Sequence, residues 1–202
     1  MMYKAVVFDF GNVLCRINRN AFSDALAVHS PLDPDTIGKL LWGGDLEKEN
    51  ETGKIDSHTH YARIAELIDA RDSFDYETFR KLYMLILEPN PDGIAALKYA
   101  RSRGMRTFIL SNIAFLHATR IFNDETLATI PELHILSYKV GAMKPDPLIW
   151  RTLLTCSGLC APECLYIDDI EAYCETARSL GFGALNYDFR HQNLSRELEN
   201  ML

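Results

Sequence analysis

The sequence predicts an α/β protein: a parallel sheet wrapped by helices, with a wholly helical block inserted near its start. Three observations carry this reading. Apolar, strand-like runs alternate with helical patterns from residue 89 onward; a lone apolar run, AVVF at 5–8, has no strand beside it in sequence; and the stretch 19–88 shows only helical periodicity and turn chemistry. At 202 residues and 48% hydrophobic content, the chain suits one domain carrying a sizeable insertion.

The run Ala5–Phe8 is continuously apolar, as a strand covered on both faces must be. Helices then follow, separated by the turn segments SPLDP (30–34), GGD (43–45) and ETGKID (51–56). Tyr61, Ile64, Ala65 and Ile68 recur at helical spacing, as do Phe79, Leu82, Tyr83 and Ile86. At EPNPDG the rhythm changes. Asn90 is placed to cap a helix with Pro91 in its first turn, Ile94, Leu97 and Lys98 fall along one face, and Gly104 supplies the stop. Strands are expected at TFIL (107–110), LHIL (133–136), CLYI (164–167) and GALN (183–186), with helices at 146–156 and at 171–180 before Gly181. The tail NLSRELENML reads as a closing amphipathic helix. The first strand needs the later ones beside it to be buried, so residues 1–14 and 89–202 are expected to form one sheet domain and 15–88 an insertion.

Composition excludes several functions. Twenty-eight acidic against 21 basic residues give a net charge of −7 with no basic run, so a nucleic acid partner is not expected. No stretch approaches the roughly 20 apolar residues that a membrane helix needs. Five cysteines, an odd number, and no leader pattern in MMYKAVVFDF point to a reducing, cytoplasmic setting. Cys156, Cys160 and Cys164 stand four apart, a spacing that does not suit zinc.

Chemistry gathers where the strands end. Asp9 follows the first strand with Gly11 and Asn12 behind it, Ser111 and Asn112 follow TFIL, Lys144 lies in the loop after LHIL, and Asp168 and Asp169 follow CLYI. Ligands of parallel sheets bind at the carboxyl ends of the strands. Carboxylates brought together there repel one another unless a cation lies between them, and oxygen ligands suit Mg²⁺.

The ordered segments VVFDFGNV, FILSN, GAMKPDP and LYIDD resemble the four motifs of the haloacid dehalogenase-like (HAD) hydrolase superfamily. The resemblance implies a Rossmann-like core, an inserted helical cap, and Mg²⁺-dependent hydrolysis of a small phosphorylated metabolite through an aspartyl-phosphate. It makes Asp9 the nucleophile, Ser111 a hydrogen-bond donor to the phosphate, and Lys144 the charge partner of phosphate and nucleophile. Asp169 becomes the main metal ligand, supported by Asp9, the Gly11 carbonyl and Asp168; backbone near Gly11, Asn12 and Asn112 contacts the phosphate. The DFGNV form is similar to a subgroup that includes sugar-1-phosphate phosphatases.

Two positions depart from the pattern. Gly11 stands where most of these phosphatases carry a second aspartate that protonates the leaving oxygen. General acid–base help is worth about 10² to 10⁴ in rate, so substrates with good leaving groups, such as anomeric phosphates, are expected to be favoured. Tyr173 replaces an Asp or Asn that supports the metal. Two further readings stay open: a catalytically weak phosphate- or partner-binding protein, and a metal-independent 2-haloacid dehalogenase, whose pattern usually has Tyr where Gly11 stands. Arg16 and Arg19 are placed to recruit substrate charge, Trp42 to line the cap's inner face or to serve as core or hinge, and His58 and His60 are expected at the surface.

Overall fold

The computed structural model describes residues 3–202; residues 1 and 2, assigned above to the sheet domain, lie outside it. In chain order the elements are β1 (Ala5–Phe8), β2 (Cys15–Ile17), α1 (Arg19–Ala27), α2 (Pro34–Leu41), α3 (Asp45–Glu51), α4 (Ser57–Leu67) and α5 (Tyr76–Tyr83). They continue with β3 (Leu87–Pro89), α6 (Pro91–Ser102), β4 (Arg106–Ser111), α7 (Phe115–Asn123), α8 (Glu125–Thr129), β5 (Leu133–Leu136) and α9 (Ser137–Val140). The last are α10 (Pro147–Ser157), β6 (Cys164–Asp168), α11 (Glu171–Ser179), β7 (Gly183–Asn186) and α12 (Leu194–Met201).

Five strands form one parallel sheet in the order β5-β4-β1-β6-β7. The first strand therefore lies at the centre, in register with β4 (Ala5 opposite Arg106) and β6 (Ala5 opposite Cys164). Its residues alternate between two packed faces: Val6 and Phe8 join Ile109, Leu165 and Ile167, while Ala5 and Val7 join Phe108, Leu110 and Tyr166. Coverage on both faces explains the unbroken apolar runs.

The inserted helices α1–α5 have a core of their own, built on Phe22, Leu26, Ile37, Ile64, Phe79 and Tyr83, and Leu116 of α7 joins it from the sheet side. Two crossings link this block to the sheet, and both are strands. Cys15–Ile17 and Leu87–Pro89 pair antiparallel as a two-stranded ribbon. The sequence reading gave neither, because three residues ending in a proline carry no periodicity.

Smaller differences have local causes. The helix read through Ile86 tightens to a 3₁₀ turn at Met84–Ile86. Asn90 precedes α6 but makes no cap; its amide donates to the Val13 carbonyl at 2.7 Å, tying α6 to the loop after β1. The buried face of α6 is Gly93, Ala96, Leu97 and Ala100, and Lys98 is exposed. His60 is buried, not at the surface, since it shares the inner face of α4 with Ile64. No helix among the described residues is long and apolar enough to cross a membrane.

Candidate active site

The loop after β1 is built to turn sharply around one acid. Asp9 still donates its backbone N–H to the Ile167 carbonyl at 2.9 Å, so it is fixed to the sheet, and it is 6% exposed. The chain then curls back, with the N–H groups of Leu14 and Cys15 donating to the Phe10 carbonyl. Asn12 takes a left-handed φ of 54°, which asparagine tolerates better than most residues. Its side chain works in both directions: Oδ1 accepts from the Ile17 N–H at 3.0 Å, and Nδ2 donates to Asp169 Oδ2 at 2.9 Å.

Lys144 is held by its backbone as well as its charge. Asn112 Oδ1 accepts from the Lys144 N–H at 2.7 Å, and Asn112 Nδ2 donates to the Lys144 carbonyl at 3.0 Å. The ammonium, 2% exposed at the residue level, lies 2.8 Å from Asp9 Oδ1 and donates to Asp168 Oδ2 at 2.6 Å. Asp168 has both oxygens occupied, since Oδ1 accepts from the Ile170 N–H at 2.9 Å and Oδ2 also receives the Tyr166 hydroxyl. It is a holder of Lys144. Burial alone would pull the Lys144 ammonium toward neutrality, but the Asp9 and Asp168 carboxylates outweigh it and keep its pKa above the ordinary value. The Tyr173 ring lies beneath the same ammonium, 5.1 Å from its centroid.

Carboxylate oxygens of Asp9, Asp168 and Asp169 lie within 4.8 Å of one another. Burial first, and then the other two acids, push Asp9 upward against the pull of Lys144; burial likewise raises Asp169. Asp9 Oδ1 is buried with the Lys144 ammonium 2.8 Å away and no other partner among the described residues. Asp169 keeps Oδ1 without a donor among the described residues. An all-oxygen donor set with unspent lone pairs fits a hard divalent cation. The five cysteines are free, and no group among the described residues offers a second metal cluster.

Above these groups is a cavity of about 420 Å³. Asp9, Gly11, Asn12, Ser111, Asn112 and Asp169 form its floor, and the inserted helices contribute Arg19, Trp42, Glu47, Glu51 and Tyr83. Lys144 and Asp168 are not on its wall; they sit behind Asp9, so the lysine, read above as a substrate contact, faces the two acids. Arg16 is also elsewhere, its guanidinium 5.6 Å over Phe189. Trp42 faces the cavity with Arg19 stacked over it at 5.0 Å. Sequence reasoning missed Glu47, Glu51, Tyr83 and His117, which meet the site only through the docking of helices against the sheet.

Fold and site together define an α/β protein with a buried carboxylate at the carboxyl edge of its central strand, roofed by inserted helices. Residues 3–181 match the family model described as haloacid dehalogenase-like hydrolase, and the chain belongs to that family. It is 30% identical to "Phosphatase MT3486" of Mycobacterium tuberculosis (strain CDC 1551 / Oshkosh) over 197 residues, 93% of this chain and 88% of the relative. Its fold is similar to a magnesium complex of HAD family enzyme bt-2542 from Bacteroides thetaiotaomicron, with a TM-score of 0.85, 20% identity and coverage of 98% and 99% of the two chains. It is also similar to L-2-haloacid dehalogenase from Xanthobacter autotrophicus, with a TM-score of 0.67, 20% identity and coverage of 91% and 76%.

Proposed function

We propose that the protein is a Mg²⁺-dependent phosphatase that hydrolyses a small phosphorylated metabolite through an aspartyl-phosphate on Asp9. The observation that carries the reading is the Lys144 ammonium 2.8 Å from Asp9 and 2.6 Å from Asp168, beside the acidic floor of a cavity between the sheet and the inserted helices. A carboxylate attacks a phosphate dianion only when that repulsion is cancelled, and the buried lysine supplies one of the charges needed. Asp9, Asp169 and the Gly11 carbonyl would hold the cation, and Asp168 would keep Lys144 in place. When bound, Mg²⁺ supplies further neutralisation of the phosphoryl oxygens. Ser111 and backbone N–H groups near Asn112 and Gly11 would orient those oxygens, and residues 15–88 would act as the cap that excludes water and selects the substrate. The relative named a phosphatase and the magnesium complex of a structural neighbour support this reading.

Gly11 puts no proton donor in the turn after β1. Judged by that turn alone, anomeric and other good leaving groups are favoured. The test is phosphate release from a panel of phosphorylated metabolites with Mg²⁺. Turnover is expected to vanish with EDTA and to fall at least 10³-fold in Asp9→Asn. Halide release from a 2-haloacid that survives EDTA would instead assign the chain to metal-free dehalogenation.

A further inference from the structure

We infer that Glu51, on the inserted helices, gives the proton to the leaving oxygen and later takes one from water, the part that Gly11 cannot play. This rests on the aspartyl-phosphate reading above.

Glu51 ends α3 with its side chain on the cavity wall that faces Asp9. Its backbone is fastened to the sheet domain: its carbonyl accepts from Ser137 Oγ, which itself receives the Ile113 N–H at 2.9 Å. Two residues on, the left-handed Gly53 (φ 70°) packs so closely on the Tyr138 carbonyl that no side chain fits between them. The cap is thus locked to the loop after β4 and to α9 at the point that sets the Glu51 position.

The other polar groups of the cavity are engaged or unsuited. Glu47 spends its oxygens on Arg19 at 2.8 Å and the Gly43 N–H at 2.5 Å. Asp169 has one oxygen on Asn12, and in the proposed reading the other belongs to the cation. His117 is pushed down to about 4 by burial and carries no spare proton near neutrality. Burial makes the Tyr83 phenol a far weaker acid than usual. The Glu51 carboxyl, by contrast, takes no hydrogen bond from any described residue. Burial and the Glu47 carboxylate push it up to about 8, against the pull of Arg19 and Lys144 and with a smaller upward push from Asp9. Tyr83 lines the same cavity. Glu51 therefore holds a proton at neutral pH.

In the first step Asp9 Oδ forms a bond to phosphorus as the bond to the leaving oxygen breaks. The departing electron pair takes the Glu51 proton, so a neutral alcohol leaves. In the second, Glu51 carboxylate removes a proton from water as the water oxygen bonds to phosphorus, the Asp9–phosphorus bond breaks, and inorganic phosphate departs. Both side chains return to their starting state.

Glu51→Gln is compared with the wild type on 4-nitrophenyl phosphate and phenyl phosphate with Mg²⁺. The variant should lose about 10² to 10³ in kcat/KM on phenyl phosphate but less than tenfold on 4-nitrophenyl phosphate, whose leaving group needs little help. On the latter its kcat should fall, with a burst of one nitrophenol per active site, because hydrolysis of the aspartyl-phosphate lacks its base. Thermal midpoint and Mg²⁺ affinity, measured by calorimetry, should stay at wild-type values. Equal losses on both substrates, or none, would overturn the role of Glu51 alone. Activity that survives Asp9→Asn, or wild-type protein inert on both substrates, would overturn the phosphatase reading and this proposal with it.

Discussion

His60 and His117 lie on either side of Tyr83: the first meets its ring edge-on with centroids 5.3 Å apart, the second stacks on it at 3.8 Å. Both are buried, and burial lowers their pKa values, to about 3 for His60 and about 4 for His117. An unfolded histidine titrates near 6.5, so below that pH the unfolded chain binds protons that the folded chain refuses. The contribution of these two histidines is thus full above pH ~6.5 and falls as pH drops toward the folded values, by up to about 1.4 kcal/mol per pH unit for each residue. At pH 5 each should cost about 2 kcal/mol. Asp9 and Glu51, whose pKa values folding raises, act in the opposite sense over this range, so the histidine share is read by difference. Between pH 7.5 and 5, the wild type should lose about 2 kcal/mol in urea unfolding relative to His60→Leu. These residues also mark a limit of the sequence reading. In the stretch HTH, His58 is exposed against Tyr76 while His60 is buried, and only the rotation of α4 against α5 separates them. Asp9, Ser111, Lys144 and Asp169 were legible because each follows an apolar strand or its loop. Glu51 was not, since nothing in DLEKENE says which acid will face a cavity made by distant strands.

Among the helices, α6 presses against the loop that follows Asp9. A Cβ on Gly93 would land on the Val13 carbonyl oxygen, and Asn90 already binds that oxygen from the same helix. In an open helix, alanine for glycine gains about 1 kcal/mol. Here the clash is with backbone that no rotamer can relieve, and overpacking of this kind costs about 1–3 kcal/mol or more. The clash wins, so Gly93→Ala should lower the urea midpoint. It should also cut phosphatase activity, because Val13 and Leu14 cannot move without Asp9 and Asn12. A variant as stable and active as the wild type would refute the contact. The alternation of strand and helix was readable because the three inner strands, β1, β4 and β6, are buried along both faces. The β2–β3 ribbon was not, because its pairing is fixed by where the two chain crossings meet and by no pattern within three residues.

At the scale of the whole molecule, the parallel order β5-β4-β1-β6-β7 delivers all the strand-end groups to one edge, and this convergence is what chain order alone allowed to be read. It has an energetic consequence. Folding gathers Asp9, Asp168 and Asp169 within 4.8 Å around a single ammonium, in a chain that already carries a net charge of −7. Unfolding separates those acids, so a cation that binds among them binds the folded state alone and must raise its stability. At a free concentration 100 times its Kd, Mg²⁺ should add about 2.7 kcal/mol. The thermal midpoint should therefore climb with Mg²⁺ and return with EDTA. Asp169→Asn should stabilise the metal-free protein slightly, by removing one repelling charge, and should abolish most of the response to Mg²⁺. Asp168→Asn should act in the opposite sense on the metal-free protein, because it strips the buried Lys144 of its 2.6 Å partner, and loss of one member of a buried pair costs about 3–5 kcal/mol. Should both variants respond to Mg²⁺ as the wild type does, the acids at this edge are not where the ion binds.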